Sequence, residues 1–302
     1  MKIDSHQHYW HYVAQDFPWI SADMPALQQD CQPTDVLPAL HSAGVEAVLA
    51  VQARSRADET GYLLGLAKVH PQIVGVVGWT DLCAAEVSDT LDAYANQPLL
   101  KGFRHILQDE PQLGAFMRQP AFSRGVKAVQ ARGLVYDVLV FDWQISAVVD
   151  FCARHNRHWL VLDHVGKPCV KDWLTKAEVP SRWLASLRAL AAMPHVMCKL
   201  SGLVTEGHWA AAQGVQAQDD RIMLECFDRA LELFGPNRIL FGSDWPVCQL
   251  AAPYEAVHGL AQRWASSRLS RTEQDAFWSA NAQRCYGLTL NAPATAATSG
   301  RN

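Results

Sequence analysis

Along this chain, short apolar runs rich in β-branched residues alternate with longer segments in which apolar residues return every three or four positions. The runs are KIDSHQH (2–8), VEAVLAVQA (45–53), QIVGVVGWTDL (72–82), LLKGFRHIL (99–107), GLVYDVLVF (133–141), HWLVLDHVG (158–166), HVMCKLSG (195–202) and RILFGSDWP (238–246). Near-continuous apolar character is the mark of strands covered on both faces, as in a parallel sheet. Helical spacing is found at 34–44, 59–70, 84–97, 123–133, 143–156, 181–193 and 221–235, and again at 253–267 and 270–286. Gly44, Gly133 and Gly235 stand where a helix C-cap is wanted. Eight strand-then-helix units predict an α/β fold, a single-domain (β/α)8 TIM barrel over 1–288. An open dinucleotide-binding sheet is disfavoured, because no GxGxxG follows the first run. Residues 289–302, small and polar, are expected to form a disordered tail.

In such a barrel the site lies at the C-terminal ends of the strands. Those ends carry His6 and His8, then Gln52, Trp79 with Asp81, Arg104 with His105, Asp163 with His164, Lys199 with Ser201, and Asp244 followed by Trp245 and Pro246. His6 and His8, two residues apart in an extended strand, point to the same side. Paired imidazoles on a buried face call for a metal, a substrate or a proton to move. A solvated N-terminal arm would explain them too, but not the gathering of ionisable residues at the other strand ends.

Composition narrows the field. The chain has 302 residues, 49% hydrophobic, enough for a large core. A net charge of −4 gives no electrostatic reason to expect nucleic acid or an anionic membrane as partner. No apolar run is long enough to span a bilayer, and the first residues lack the basic-then-apolar order of a signal peptide. Eight cysteines are scattered without a CxxC pair, which suits reduced thiols in a cytoplasm. A soluble, cytoplasmic enzyme acting on a small molecule is expected.

The strand ends also carry a resemblance. HxH on the first strand, GFRH on the fourth, LDHVGKP on the sixth, KLSGL on the seventh and GSDWP on the eighth resemble the amidohydrolase superfamily. The nearer match is its amidohydrolase-2 branch, which includes sugar lactonases of the L-fuconolactonase and L-rhamnonolactonase kind. The similarity runs over about 2–288. It implies a (β/α)8 fold and hydrolysis of a carbonyl ester by an activated water, with sugar lactones as the leading substrate class. His6, His8 and Asp244 match the superfamily's metal ligands, which implies one divalent ion, zinc, with a position left for water. Two ions are not expected: the fifth strand has no histidine, and Lys101 precedes the end of the fourth by several residues. Some members of the branch work without a metal, and His6 and His8 would then bond the lactone carbonyl directly.

Hydrolysis needs a base for the water and charge for the oxyanion. Asp244 is the candidate base, its pKa expected to be raised by the ring of Trp245; a turn-capping Asp is the alternative. His164 is the candidate to polarise the carbonyl or protonate the leaving alkoxide, unless it is a core histidine. Arg104, His105, Gln52, Trp79 and Lys199 are the candidate substrate contacts. Arg104 and His105 alternate in direction, so one of them faces the pocket fully. Trp10, Trp79, Trp143 and Trp245 follow strand ends, where rings stack on sugars. Cations near strand ends are few (Arg54, Arg56, Arg104, Lys167 and Lys199), which favours a neutral polyhydroxy lactone over a dicarboxylate pyrone. The other readings are a lactonase for a pyrone or muconolactone of aromatic degradation, a decarboxylase of the same superfamily, and a catalytically silent barrel that binds a ligand.

Overall fold

A computed structural model describes residues 1–174, 180–208 and 217–290. Its eight strands are β1 (Lys2–Gln7), β2 (Val45–Val51), β3 (Ile73–Gly78), β4 (Leu100–His105), β5 (Val135–Val138), β6 (Leu160–Leu162), β7 (Val196–Leu200) and β8 (Ile239–Phe241). All neighbours are parallel and the order follows the chain, with helices between them. Closure falls between β1 and β8. Gln7 bridges Trp245, the His8 N–H donates to Trp245 O at 2.7 Å, and the Asp244 N–H donates to His6 O at 2.9 Å. The expected (β/α)8 barrel is the fold found, and the residues that close it are those expected to do the chemistry.

The period of two along each strand sorts the barrel interior into layers. Low in the barrel, Ile3, Leu49, Val77, Val135, Val161, Met197 and Leu240 form an apolar plug. The C-terminal helix Asn281–Tyr286 covers it from below with Ala282, Cys285 and Tyr286. Two residues further along their strands, Asp137, Asp163 and Lys199 form the next layer, all fully buried. Residues of the opposite parity, among them Val48, Val76, Phe103, Tyr136, Leu160 and Phe241, pack outward against the helices.

Several elements are shorter than their apolar runs. β6 and β8 keep three residues each because the chain leaves the sheet to build the site. After β6, His164, Val165, Gly166 and Lys167 take φ of 55°, 54°, 70° and 45°, a left-handed turn that a β-branched Val normally avoids. The helix expected at 84–97 is confined to Val87–Asp92, where Val87 and Leu91 supply its buried contacts. The helix expected at 143–156 divides into a 3₁₀ turn, Ile145–Val148, and a helix, Val149–Arg154. A helix at Leu113–Arg118 was not anticipated; Pro120 holds Gln119 extended and separates it from Pro120–Ala131. Gly44, Gly133 and Gly235 do take the left-handed conformation at helix ends. Among the described residues no helix is long and apolar enough to cross a membrane. Of the tail expected at 289–302, Leu290 packs against the lower apolar cluster, and residues 291–302 lie outside the described residues.

Candidate active site

The floor of the site is a buried ionic cluster. Lys199 Nζ lies 2.6 Å from Asp137 Oδ2 and 3.2 Å from Asp163 Oδ1, and Tyr286 Oη donates to Asp137 Oδ1 at 2.8 Å. Burial alone pushes the Asp137 pKa up and Asp163 adds to the rise, which Lys199 only partly offsets, leaving it at about 6. Burial also opposes the charge on Asp163, but Lys199, His6 and Arg104 outweigh it and hold the carboxyl well below its ordinary range. Arg104 stands above this layer. Its Nε donates to Gln52 Oε1 at 2.9 Å, Nη2 to Gln52 O at 2.6 Å, and Nη1 to Asp163 Oδ2 at 2.9 Å and towards His6 Nε2 at 3.2 Å. Four of its five N–H groups are thereby engaged.

Burial holds His6 well below its ordinary pKa despite Asp163, so the ring is neutral. Cations flank both ring nitrogens, Arg104 Nη1 at 3.2 Å from Nε2 and Lys199 Nζ at 3.2 Å from Nδ1, and Asp163 Oδ1 lies 3.4 Å from Nδ1. Burial likewise lowers His164 to about 4. Its Nδ1 lies 2.9 Å from Ser201 Oγ and its Nε2 faces Asp244 Oδ1 at 3.9 Å. With the Ser201 hydroxyl donating to Nδ1, the ring carries its proton on Nε2, on the side of Asp244. Gly202 is required behind this ring. Its φ is +65°, and a Cβ there would run into His164 Nδ1.

Asp244 is held among three imidazoles, its Oδ1 3.2 Å from His8 Nε2, 3.7 Å from His6 Nε2 and 3.9 Å from His164 Nε2. The raised pKa expected from Trp245 is not found. Burial does push Asp244 up, but His164, the hydrogen bond from His8, and His6 together carry it below the ordinary carboxylate range. The Trp245 ring packs beside Tyr9, with centroids 5.8 Å apart. Asp244 also adopts φ 62°, a left-handed conformation that orients its carboxylate.

The support for this pose was not anticipated. Asp4 Oδ1 accepts from the His6 N–H at 3.1 Å and the Ser243 N–H at 2.8 Å, while Oδ2 accepts from Gln7 Nε2 at 2.7 Å. One buried carboxylate thus ties the strand bearing His6 and His8 to the turn bearing Asp244. Gly242 lets the two backbones approach, since a Cβ there would lie 2.8 Å from His6 Cβ.

A cavity of about 110 Å³ opens above the imidazoles, lined by His8, Arg104, His164 and Asp244 together with Trp19, Ala53, Ile106, Gln108, Asp109, Leu139, Lys167 and Val247. It leads into a bowl of about 1030 Å³ that shares Trp19, Gln108, Asp109 and Lys167. The structure brings His6, His8, Arg104, His164 and Asp244 together as expected. Gln52 and Lys199 are fully buried behind them, Gln52 gripping Arg104 and Lys199 the floor carboxylates. His105 turns away from Arg104, stacks on Phe116 and bonds Glu110 at 2.6 Å, reaching the outer bowl. Trp79 is in neither lining. Trp10 and Trp245 are buried, and Trp143 is exposed, stacked on Phe141. The tryptophan at the cavity is Trp19, from the loop after β1, with Nε1 donating to Ala53 O at 3.0 Å.

The donor set suits one cation. His8 Nδ1 donates to Val51 O at 2.8 Å, which leaves Nε2, 3.2 Å from Asp244 Oδ1, to donate to that carboxylate or, when unprotonated, to ligate a cation beside it. The ligand atoms of His6, His8 and Asp244 all fall within 4.8 Å of one another. Tetrahedral zinc with its usual bond lengths places ligand atoms roughly 3.3–3.4 Å apart, and Asp244 Oδ1 lies 3.2 Å from His8 Nε2 and 3.7 Å from His6 Nε2. A second group, His6 with Asp163 and His164, is equally compact. There, however, Arg104 and Lys199 already stand 2.9 and 3.2 Å from Asp163.

Known proteins resemble this chain over most of its length. A family model described as Amidohydrolase matches residues 3–288. An L-fucono-1,5-lactonase of Burkholderia multivorans is 50% identical over 288 residues, 95% of this chain and 96% of that protein. An L-fucono-1,5-lactonase of Burkholderia ambifaria is 32% identical over 254 residues, 84% of this chain and 83% of that protein. The crystal structure of a Burkholderia multivorans amidohydrolase with bound zinc matches with a TM-score of 0.91 at 50% identity, covering 96% of this chain and 100% of that one.

Proposed function

The chain belongs to the amidohydrolase family, and on that premise we propose that it opens a sugar lactone, a neutral aldonolactone, by attack of water on the ring carbonyl. The observation that carries this reading is Asp244, an ionised carboxylate at the closed end of a cavity with the neutral imidazoles of His6 and His164 beside it. Its carboxylate takes a proton from the attacking water as the new C–O bond forms. The developing oxyanion meets the Nε2–H of His164 and the remaining N–H of Arg104 Nη2, both fixed before substrate arrives. When the bond from the carbonyl carbon to the ring oxygen breaks, Asp244 returns its proton to that oxygen and the aldonic acid leaves. One divalent ion, zinc, would be held by His6, His8 and Asp244 and would supply positive charge at the carbonyl end of the cavity.

The similarity to L-fucono-1,5-lactonases supports a sugar lactone as substrate. The cavity walls, with Trp19 and Leu139 beside Gln108 and Asp109, suit a ring with an apolar face and several hydroxyls. The eight cysteines are all free, in keeping with action in a cytoplasm. A panel of neutral five- and six-carbon aldonolactones, a muconolactone, a pyrone dicarboxylate and an aromatic carboxylic acid tests the reading, with acid release and carbon dioxide followed in parallel. Acid release from the neutral aldonolactones is expected. Turnover confined to the anionic lactones would make the protein a lactonase of aromatic degradation. Carbon dioxide without lactone hydrolysis would make it a decarboxylase.

A further inference from the structure

Ionisable side chains around the cavity and bowl are paired with one exception. Arg54 donates to Glu59 at 2.6 Å and Asp16 at 2.9 Å, and Arg56 to Asp58 at 3.1 Å and Asp16 at 2.5 Å. Lys167 stands 3.3 Å from Glu206, His105 bonds Glu110, and Arg104 is bound to Asp163. Asp109, at the end of the short turn Leu107–Asp109 after β4, lines both spaces. Among the described residues it is the one ionisable group of the two linings whose side chain has no hydrogen-bond or ion-pair partner. Its neighbour Gln108 is fixed, with Oε1 accepting from Lys167 at 3.2 Å.

We propose that Asp109 is a specificity residue that reads the hydroxyls of a neutral lactone and rejects lactones bearing a carboxylate. The inference rests on the lactonase reading above and adds to it the group that sets substrate charge. Two carboxylate oxygens accept from a pair of adjacent hydroxyls in a fork, and charge makes those bonds stronger than neutral ones. A substrate carboxylate would meet Asp109 as a like charge, and the nearby cations already have anionic partners. The mouth therefore favours polyols through one carboxylate, without excluding anions by shape.

The test compares wild type, Asp109→Asn and Asp109→Ala on a neutral six-carbon aldonolactone and on a muconolactone. Both variants should fold, since the side chain holds no structural bond. For each, KM for the aldonolactone should rise about tenfold, the equivalent of one lost charged hydrogen bond, with kcat changed much less. The ratio of kcat/KM for muconolactone to that for aldonolactone should rise by a larger factor, more in dilute than in concentrated salt. Unchanged KM and an unchanged ratio in both variants, with wild type active on the aldonolactone, would overturn the assignment while leaving the lactonase reading intact. Wild type inactive on every neutral aldonolactone would overturn that reading, and this assignment with it.

Discussion

Lys199→Met would separate a residue that holds the site from one that touches substrate. The ammonium is fully buried between Asp137 Oδ2 and Asp163 Oδ1. Removing one partner of a buried pair typically costs about 3–5 kcal/mol, because the remaining charge is left without compensation. For a chain of this size that corresponds to a fall in Tm of order 10 °C. The loss has a pH dependence of known sign. Burial and Asp163 already raise the Asp137 carboxyl to about 6 with the ammonium present, so without it the carboxyl titrates higher still. A carboxyl whose folded pKa lies above its unfolded value favours the folded state in acid and loses that advantage as pH rises. The deficit of Lys199→Met should therefore be small at pH 5 and grow towards pH 8. Urea unfolding at the two pH values measures it, with KM and kcat taken on the same preparations. kcat should fall as well, since the ammonium also lies 3.2 Å from His6 Nδ1. Unchanged stability with a raised KM would refute the placement and return Lys199 to the substrate-binding role expected from its position at a strand end.

Arg104→Met should lower kcat by about 10²-fold or more, because displacing a positioned group by an ångström has that effect, and the guanidinium holds both His6 and Asp163; a change in KM alone would show it to be only a substrate contact. Elemental analysis should find about one zinc per chain, with activity lost on chelation and restored by a divalent ion. Protein shown by the same measurement to be metal-free and fully active would remove the ion, leaving His6 and His8 as direct carbonyl partners. At the other end of the barrel, His258 accepts from Lys2 Nζ at 2.9 Å and burial lowers it to about 4. A folded pKa below the unfolded one gives a contribution present above about pH 6.5 and lost as pH falls towards 4. His258→Gln should flatten that part of the urea-measured stability profile, and an unaltered profile would contradict the assignment.

Much of the site was legible because it interrupts a pattern. His6, His8, Arg104, His164 and Asp244 end apolar runs, and in a parallel barrel every run ends at the same rim. Lys199 was legible as polar but not as buried, since its depth depends on where β7 sits against β5 and β6. Its partner Asp137 carried a usable signal, an ionisable residue two positions after inward Val135. Asp4 had none, and Ser201 was legible only as a polar strand end, as their bonds are fixed by how strand ends meet across the closed barrel. Tyr286 reaches the floor from a helix at the far end of the chain, a contact that local spacing does not contain. Trp19 and Asp109 lie in loops without periodicity, so the walls that select substrate were the least readable part. The lowered pKa of Asp244 follows from three converging imidazoles, whereas chain proximity pointed to Trp245, whose ring faces Tyr9.

The most direct test of the account is acid release from a neutral six-carbon aldonolactone by wild type and Asp244→Asn, followed side by side in weak buffer with a pH indicator. Asn preserves the shape, so folding should survive, and circular dichroism and unfolding would verify it. The account predicts steady turnover by wild type and a kcat about 10²–10⁴-fold lower in the variant, the usual loss when a general base is removed. A folded Asp244→Asn variant with near-wild-type kcat would contradict it.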